Sequence, residues 1–203
     1  MTKKTSIVFV IAGAALMLLA LSLFLFNWYE DAQAGQKAKN LLADVQAVIK
    51  EKKMPDIAET EISELPVMEI DGYGYVGYLS IPDLELELPV MSEWDYARLK
   101  IAPCRQFGSS GTDDLVIAAH NYKNHFGRLS QLENGDIIIF TDMEGNENIY
   151  EVDRVDTLAP TEVEAVQNSG YDLVLYTCTY GGKTRVTVFC RRSGQTESFL
   201  FKD

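Results

Sequence analysis

Cys178 stands where the apolar run "LVLYTC" (residues 173–178) ends; Gly181 and Gly182 follow, and Arg185 opens the next alternating run. A cysteine at a strand end can sit at a sheet edge near solvent, where a nucleophile must be. An ordinary thiol, with a pKa of about 8.5, is mostly protonated at neutral pH and needs a cationic neighbour to become a thiolate. The chain has two histidines, His120 and His125. His120 terminates the run "LVIAAH" and so also emerges from a strand end, whereas His125, in the polar stretch "NYKNHFGR", reads as a loop residue. Two strand ends can meet in space although Cys178 and His120 are far apart in the chain. A returning hairpin would bring the Arg185 guanidinium to the same rim, where a fixed positive charge stabilises a thiolate, an oxyanion, or both. The chemistry open to such a set is nucleophilic acyl transfer. Each residue also has a plainer reading: Cys178 as a buried small hydrophobe, His120 as a core or capping residue, Arg185 as an edge-strand charge that discourages aggregation.

Positioning such groups requires strands, and period-two patterning supplies them from about Gly72 onward. Leu84, Leu86 and Leu88 alternate with Glu85 and Glu87, giving a strand with one wet face bounded by Pro82 and Pro89. "DLVIAA" (114–119) is a continuous apolar run, as a strand covered on both faces would show. "DIIIF" and "NIYEVDRV" flank a turn at Gly145-Asn146, and "YDLVLYT" and "RVTVF" lie on either side of the glycine loop. The pattern predicts a mainly β fold, a closed or nearly closed antiparallel-rich barrel spanning residues 72–203. Ahead of it, residues 30–71 read as an amphipathic helix, with Leu41, Leu42, Val45, Val48 and Ile49 at helical spacing, and an acidic linker from Met54 to Pro66. The helix could pack on the barrel or act as a spacer.

Residues 1–29 read differently. Ile7 to Phe26 is uncharged and, as a helix, matches the ~30 Å hydrocarbon thickness of a bilayer, with Trp28 and Tyr29 at interface depth. Lys3 and Lys4 are the only charges before Glu30, so the positive-inside rule keeps the N-terminus in the cytoplasm and sends the rest outward. A cleavable signal peptide, with "AQAG" (32–35) as its small-residue site, is the alternative. Beyond the span, 16 basic residues face 30 acidic ones, a formal charge of −14, which argues against nucleic-acid binding. Three cysteines cannot all pair within a monomer. Cys190 alternates with Val186 and Val188, opposite in face to Arg185, and reads as a buried thiol, a Cys104–Cys190 disulfide being the alternative.

The segments "GYLSIPDLELELPV", "LKIAPCRQFGSSGTDDLVIAAHN" and "LVLYTC" with Arg185 following together resemble the sortases, membrane-anchored cysteine transpeptidases of Gram-positive surfaces, over residues 75–191 or so. The resemblance places His120 on the family's histidine, Cys178 on its nucleophile after a threonine, and Arg185 on the arginine opening the last strand. It implies a sortase-type barrel and a Cys178 thioester with the threonine of a Leu-Pro-x-Thr-Gly-like C-terminal motif. The acyl group then passes to a peptidoglycan-precursor or protein amine, and the Thr177 side chain helps at the substrate. The implied partners are secreted surface proteins bearing that motif. No cofactor is required, and no metal-ligand spacing is visible. The short connection "TLAPTEVEAVQNSG" (157–170), where the family builds its substrate groove, points to a compact-loop, class D-like member over class B, and the absence of an obvious aromatic lid disfavours pilin polymerisation. Two other expectations stay open: an exported cysteine peptidase that lets water finish the reaction, and a non-catalytic cell-wall binding module.

Overall fold

A computed structural model describes residues 3–52 and 64–193. The apolar stretch and the amphipathic stretch are one helix, α1 (Lys3–Lys52). From Ile7 it is long and apolar enough to cross a membrane, with a mean hydropathy of 2.8 in its most apolar window. The chain divides into two compact units, one ending at Gln33 and the other starting at Ala34, so the second half of α1 is part of the unit that holds the strands. Ala34, Ala38, Leu42, Val45 and Ile49 recur every three to four residues and are all buried. That stripe settles the choice between spacer and packed helix in favour of packing. Val45 and Ile49 join Tyr75, Met91, Leu99, Ala102, Cys104, Ala118 and Met143 in an apolar layer between helix and barrel. The expected linker lies outside the described residues up to position 63.

Nine strands are present among the described residues: β1 (Met68–Ile70), β2 (Tyr73–Ile81), β3 (Leu86–Met91), β4 (Cys104–Phe107), β5 (Leu115–Ala119), β6 (Ile137–Asp142), β7 (Glu147–Leu158), β8 (Leu173–Cys178) and β9 (Arg185–Arg192). Their order is β1-β2-β3-β4-β5-β8-β9-β7-β6, and β6 pairs back onto β2, closing an eight-stranded barrel with β1 appended outside. Closure happens at Gly77, where β2 passes from β1 to β6 through a bulge. A Cβ there would meet the Thr141 carbonyl oxygen at 2.0 Å, and its φ of 147° is open only to glycine without strain. The series begins at Met68, ahead of the expected start near Gly72.

Two local expectations are corrected. Leu84 lies in a 3₁₀ turn (Pro82–Leu84) and not in a strand, because Pro82 opens the turn and Glu85 adopts a left-handed conformation (φ 49°) before β3 begins. Pro89 lies inside β3 instead of ending it. Proline is tolerated there because β3 pairs along β2 on one side but touches β4 only at Met91↔Cys104, leaving the side at Pro89 an edge.

Most ladders are antiparallel, as expected, but β3–β4 and β5–β8 are parallel. The β5–β8 pairing matters most. Parallel neighbours end at the same rim, which is how residues distant in sequence are brought together. Leu115, Ile117, Ala119, Leu173, Leu175, Val188 and Cys190 fill the interior together with Leu79, Ile81, Phe126, Ile138, Phe140 and Tyr150.

Candidate active site at the rim of β5, β8 and β9

β8 lies between β5 and β9, and its register fixes the site. Ala119 pairs with Thr177 across the parallel ladder, so His120 and Cys178 are the next residues out on adjacent strands, which run about 4.8 Å apart. On the other side Cys178 pairs with Arg185, and directly opposed residues place their Cβ atoms about 5 Å apart on one face. Leu173, Leu175 and Thr177 face inward with Val186, Val188 and Cys190. By alternation Cys178 and Arg185 face outward, alongside Val174 and Tyr176. The three expected groups therefore share one rim, with Cys178 in the middle. Cys178 is half-buried, as are His120 and Arg185.

The hairpin between Cys178 and Arg185 is held by its own bonds. Thr179 N–H donates to the Thr184 carbonyl at 2.9 Å, Gly182 N–H donates to the Thr179 carbonyl at 2.8 Å, and the Thr179 and Thr184 hydroxyls are 2.9 Å apart. Gly181 and Gly182 take positive φ (83° and 71°), which explains the glycine pair. Arg185 Nη1 donates to the carbonyls of Gly182 and Thr184, each at 3.1 Å, so its loop presets the guanidinium. The other arginines of β9 are occupied at the far end. Arg191 donates to the Gly170 carbonyl and lies over Tyr171, while Arg192 bonds Asp113, Asn148, the Ser110 carbonyl and the Tyr150 hydroxyl.

Thr177 does not present its hydroxyl to the rim. Its side chain is buried and donates to the Ala119 carbonyl at 2.9 Å, tying the ends of β5 and β8 together. The hydroxyl expected beside a substrate is thus a strand clasp, because one-residue alternation turns it inward. His125 lies in a turn, as expected of a loop residue, and is fully buried there, its ring 5.5 Å from that of Tyr122, which in turn lies 5.0 Å from the ring of His120.

Beside Arg185 runs a groove of about 190 Å³. Tyr176 forms its floor; Trp94 and Tyr96, packed edge-on at 5.0 Å, stand on one side. Leu158, Pro160, Val163 and Val166 stand on the other, from the connection that carries the short helix α2 (Val163–Gln167). The Tyr176 hydroxyl donates to Gln106, and burial pushes it up to about 12. Trp94, Tyr96 and Gln106 escaped the sequence reading. The signal available was the pair of aromatics in the polar stretch "SEWDY", with Tyr96 72% exposed although aromatic.

All three cysteines are free. Cys104 and Cys190 are buried, and loss of solvation pushes the Cys104 thiol from 9.0 up to about 12 and the Cys190 thiol up as well. A methanethiosulfonate reagent at pH 8 is therefore expected to label the folded chain once, at Cys178, and three times in denaturant; peptide mass mapping reads the difference. Because the two buried thiols hold their protons more tightly folded than unfolded, their contribution to stability is complete below the unfolded thiol value. It is lost as pH rises toward the folded one, so the thermal midpoint should fall between about pH 9 and 12.

The comparisons with known proteins agree with this fold. The family model described as the sortase domain matches residues 79–193. Sortase A of Bacillus anthracis is 28% identical over 163 residues, covering 74% of this chain and 77% of that protein. Among solved structures, a Clostridium perfringens sortase D5 transpeptidase superposes with a TM-score of 0.61 at 19% identity, covering 78% of this chain and 99% of that one. A Clostridium perfringens sortase C, determined with the C-terminal cell wall sorting motif, gives a TM-score of 0.53 at 18% identity over 76% and 90%. With a family match over more than half its length and a closed barrel of the same architecture, the chain belongs to the sortase family.

Proposed function

We propose that the chain is a membrane-anchored cysteine transpeptidase that cleaves a Leu-Pro-x-Thr-Gly-like C-terminal motif of secreted surface proteins and joins the acyl group to a cell-wall or protein amine. The observation that carries this reading is the register of β8, which sets Cys178 beside the residue after Ala119 on one side and opposite Arg185 on the other. The Cys178 thiolate attacks the threonine carbonyl, and the carbonyl oxygen takes up the negative charge while Arg185 supplies donors to it. The carbon–nitrogen bond then breaks, and His120 as imidazolium gives its proton to the departing amine. In the second half an incoming amine loses a proton to His120 and attacks the thioester, releasing the thiolate. The groove beside Arg185 supports binding of the residues that precede the scissile bond, with Thr177 keeping the two strand ends in register.

The segment Ile7–Phe26 anchors the chain with its N-terminus cytoplasmic, the strand-bearing unit outside, on a Gram-positive surface. The compact connection with its single short helix supports a class D-like member over class B. The deciding experiment incubates the full chain in detergent micelles with sorting-motif peptides, with and without triglycine or diaminopimelate, under intact-mass detection. A thioester on Cys178 that passes to the amine is expected; a product that never incorporates amine points instead to an exported peptidase, and no adduct at all to a binding module. Arg185→Lys should slow thioester formation about a hundredfold, because a point charge cannot reproduce a fork of donors held by Gly182 and Thr184. A wild-type rate in that variant would remove Arg185 from the chemistry.

A further inference from the structure

The second half of α1 reaches the loop that follows His120. A Cβ at Gly35 would lie 2.7 Å from Asn124 Nδ2 and 2.9 Å from both Cβ and Cγ of Asn124. Rotating the amide does not relieve a contact at Cβ, so a larger residue at position 35 must move either the loop backbone or the helix. The helix is pinned: Ala38 belongs to the interior cluster, and Val45 and Ile49 are buried against Tyr75, Met91 and Ala118. Close packing leaves the loop as the part that yields.

That loop is built as one body with His120. Phe126, fully buried, donates its N–H to the His120 carbonyl at 3.2 Å. The N–H groups of His125 and Gly127 both donate to the Tyr122 carbonyl at 2.9 Å. Gly127 has no room for a side chain, since a Cβ would meet the Asn121 carbonyl oxygen at 2.5 Å. The Tyr122 ring then lies between His120 and the buried His125. The loop that carries Asn124 is thus linked to His120 by its own backbone hydrogen bonds and by the Tyr122 ring.

We propose that Gly35 and Asn124 form a seat through which α1 positions the His120 imidazole relative to Cys178. Gly35, Asn124 and Tyr122 are positioning residues, and residues 34–49 of the helix are a working part of the active site as well as a connection to the anchor. The inference rests on the reading of His120 as the acid and base of the reaction.

In the full chain in detergent micelles, Gly35→Leu is expected to slow thioester formation about tenfold, in kcat and not in KM, because a displaced acid costs rate without weakening peptide binding. The pH profile of Cys178 alkylation by iodoacetamide should shift in the same variant, as the imidazole moves away from the thiol. Adding Asn124→Gly removes the obstructing side chain and should restore most of the rate and the profile; Asn124→Gly alone completes the cycle. Gly35→Ala carries the same test, with a smaller loss, where the leucine variant does not fold. A wild-type rate and profile at position 35, or a loss that Asn124→Gly fails to relieve, overturns the proposal. Alkylation needs no sorting peptide, so a wild-type chain that transfers nothing would defeat the functional reading while the alkylation profile still decides this one.

Discussion

Cys178→Ala should fold normally and form no thioester with any sorting-motif peptide, while His120→Ala should retain the thiol and lose about a thousandfold in acylation rate. The fold tolerates the first change because Cys178 is half-buried at the end of β8 and outside the interior cluster, so its sulfur fills no part of the core. The two variants differ in what they keep. Cys178→Ala abolishes labelling by methanethiosulfonate, whereas His120→Ala leaves Cys178 labelled. Thermal melting of both variants supplies the control: midpoints near that of the parent confine the loss to chemistry. An acyl adduct on Cys178→Ala would place the nucleophile elsewhere, and with Cys104 and Cys190 buried inside the fold no other thiol is exposed to take its place.

Arg192→Ala is expected to be the most destabilising of the arginine substitutions, by about 3 kcal/mol, measured as a lower midpoint in chemical denaturation. Arg192 lies at the opposite end of β9 from Arg185 and ties β9 to two other segments, the connection before β5 and the start of β7. Its Nε donates to Asp113 at 2.7 Å, its Nη1 to Asn148 at 2.8 Å, and its Nη2 to the Ser110 carbonyl and to the Tyr150 hydroxyl at 3.3 Å. The guanidinium also lies 5.1 Å from the Tyr150 ring centre. Removing it leaves Asp113, in a left-handed conformation (φ 53°), without its ion partner at 2.6 Å. Arg192→Lys should recover only part of the loss, because one ammonium cannot bond four acceptors in a plane. Thioester formation per folded molecule should stay near the parent value, which separates this clamp from Arg185. A loss of rate without loss of stability would reverse those assignments.

Much of this protein is legible before any coordinates. The uncharged run from Ile7 to Phe26 reads as a helix long and apolar enough to cross a membrane, and period-two alternation from residue 86 onward reports strands with unlike faces. "LVIAAH" and "LVLYTC" announce two buried strands, one ending just before His120 and the other at Cys178, and Cys190 reads as a core thiol from its alternation with Val186 and Val188. Such features are local: each depends on the spacing of side chains along one element, which the chain carries in its order of residues.

What tertiary structure alone decided concerns pairing and packing between elements far apart in sequence. Alternation says that Thr177 and Cys178 face opposite ways, yet only the tertiary structure shows that Thr177 faces in, where its hydroxyl clasps β8 to the end of β5. The Pro89 edge, the burial of His125, the groove wall of Trp94 and Tyr96, and the meeting of Gly35 with Asn124 belong to the same kind. The physical reason is that strand partners, parallel or antiparallel, are chosen by closure of the barrel and by close packing of the whole core, a collective property that no window of neighbouring residues contains.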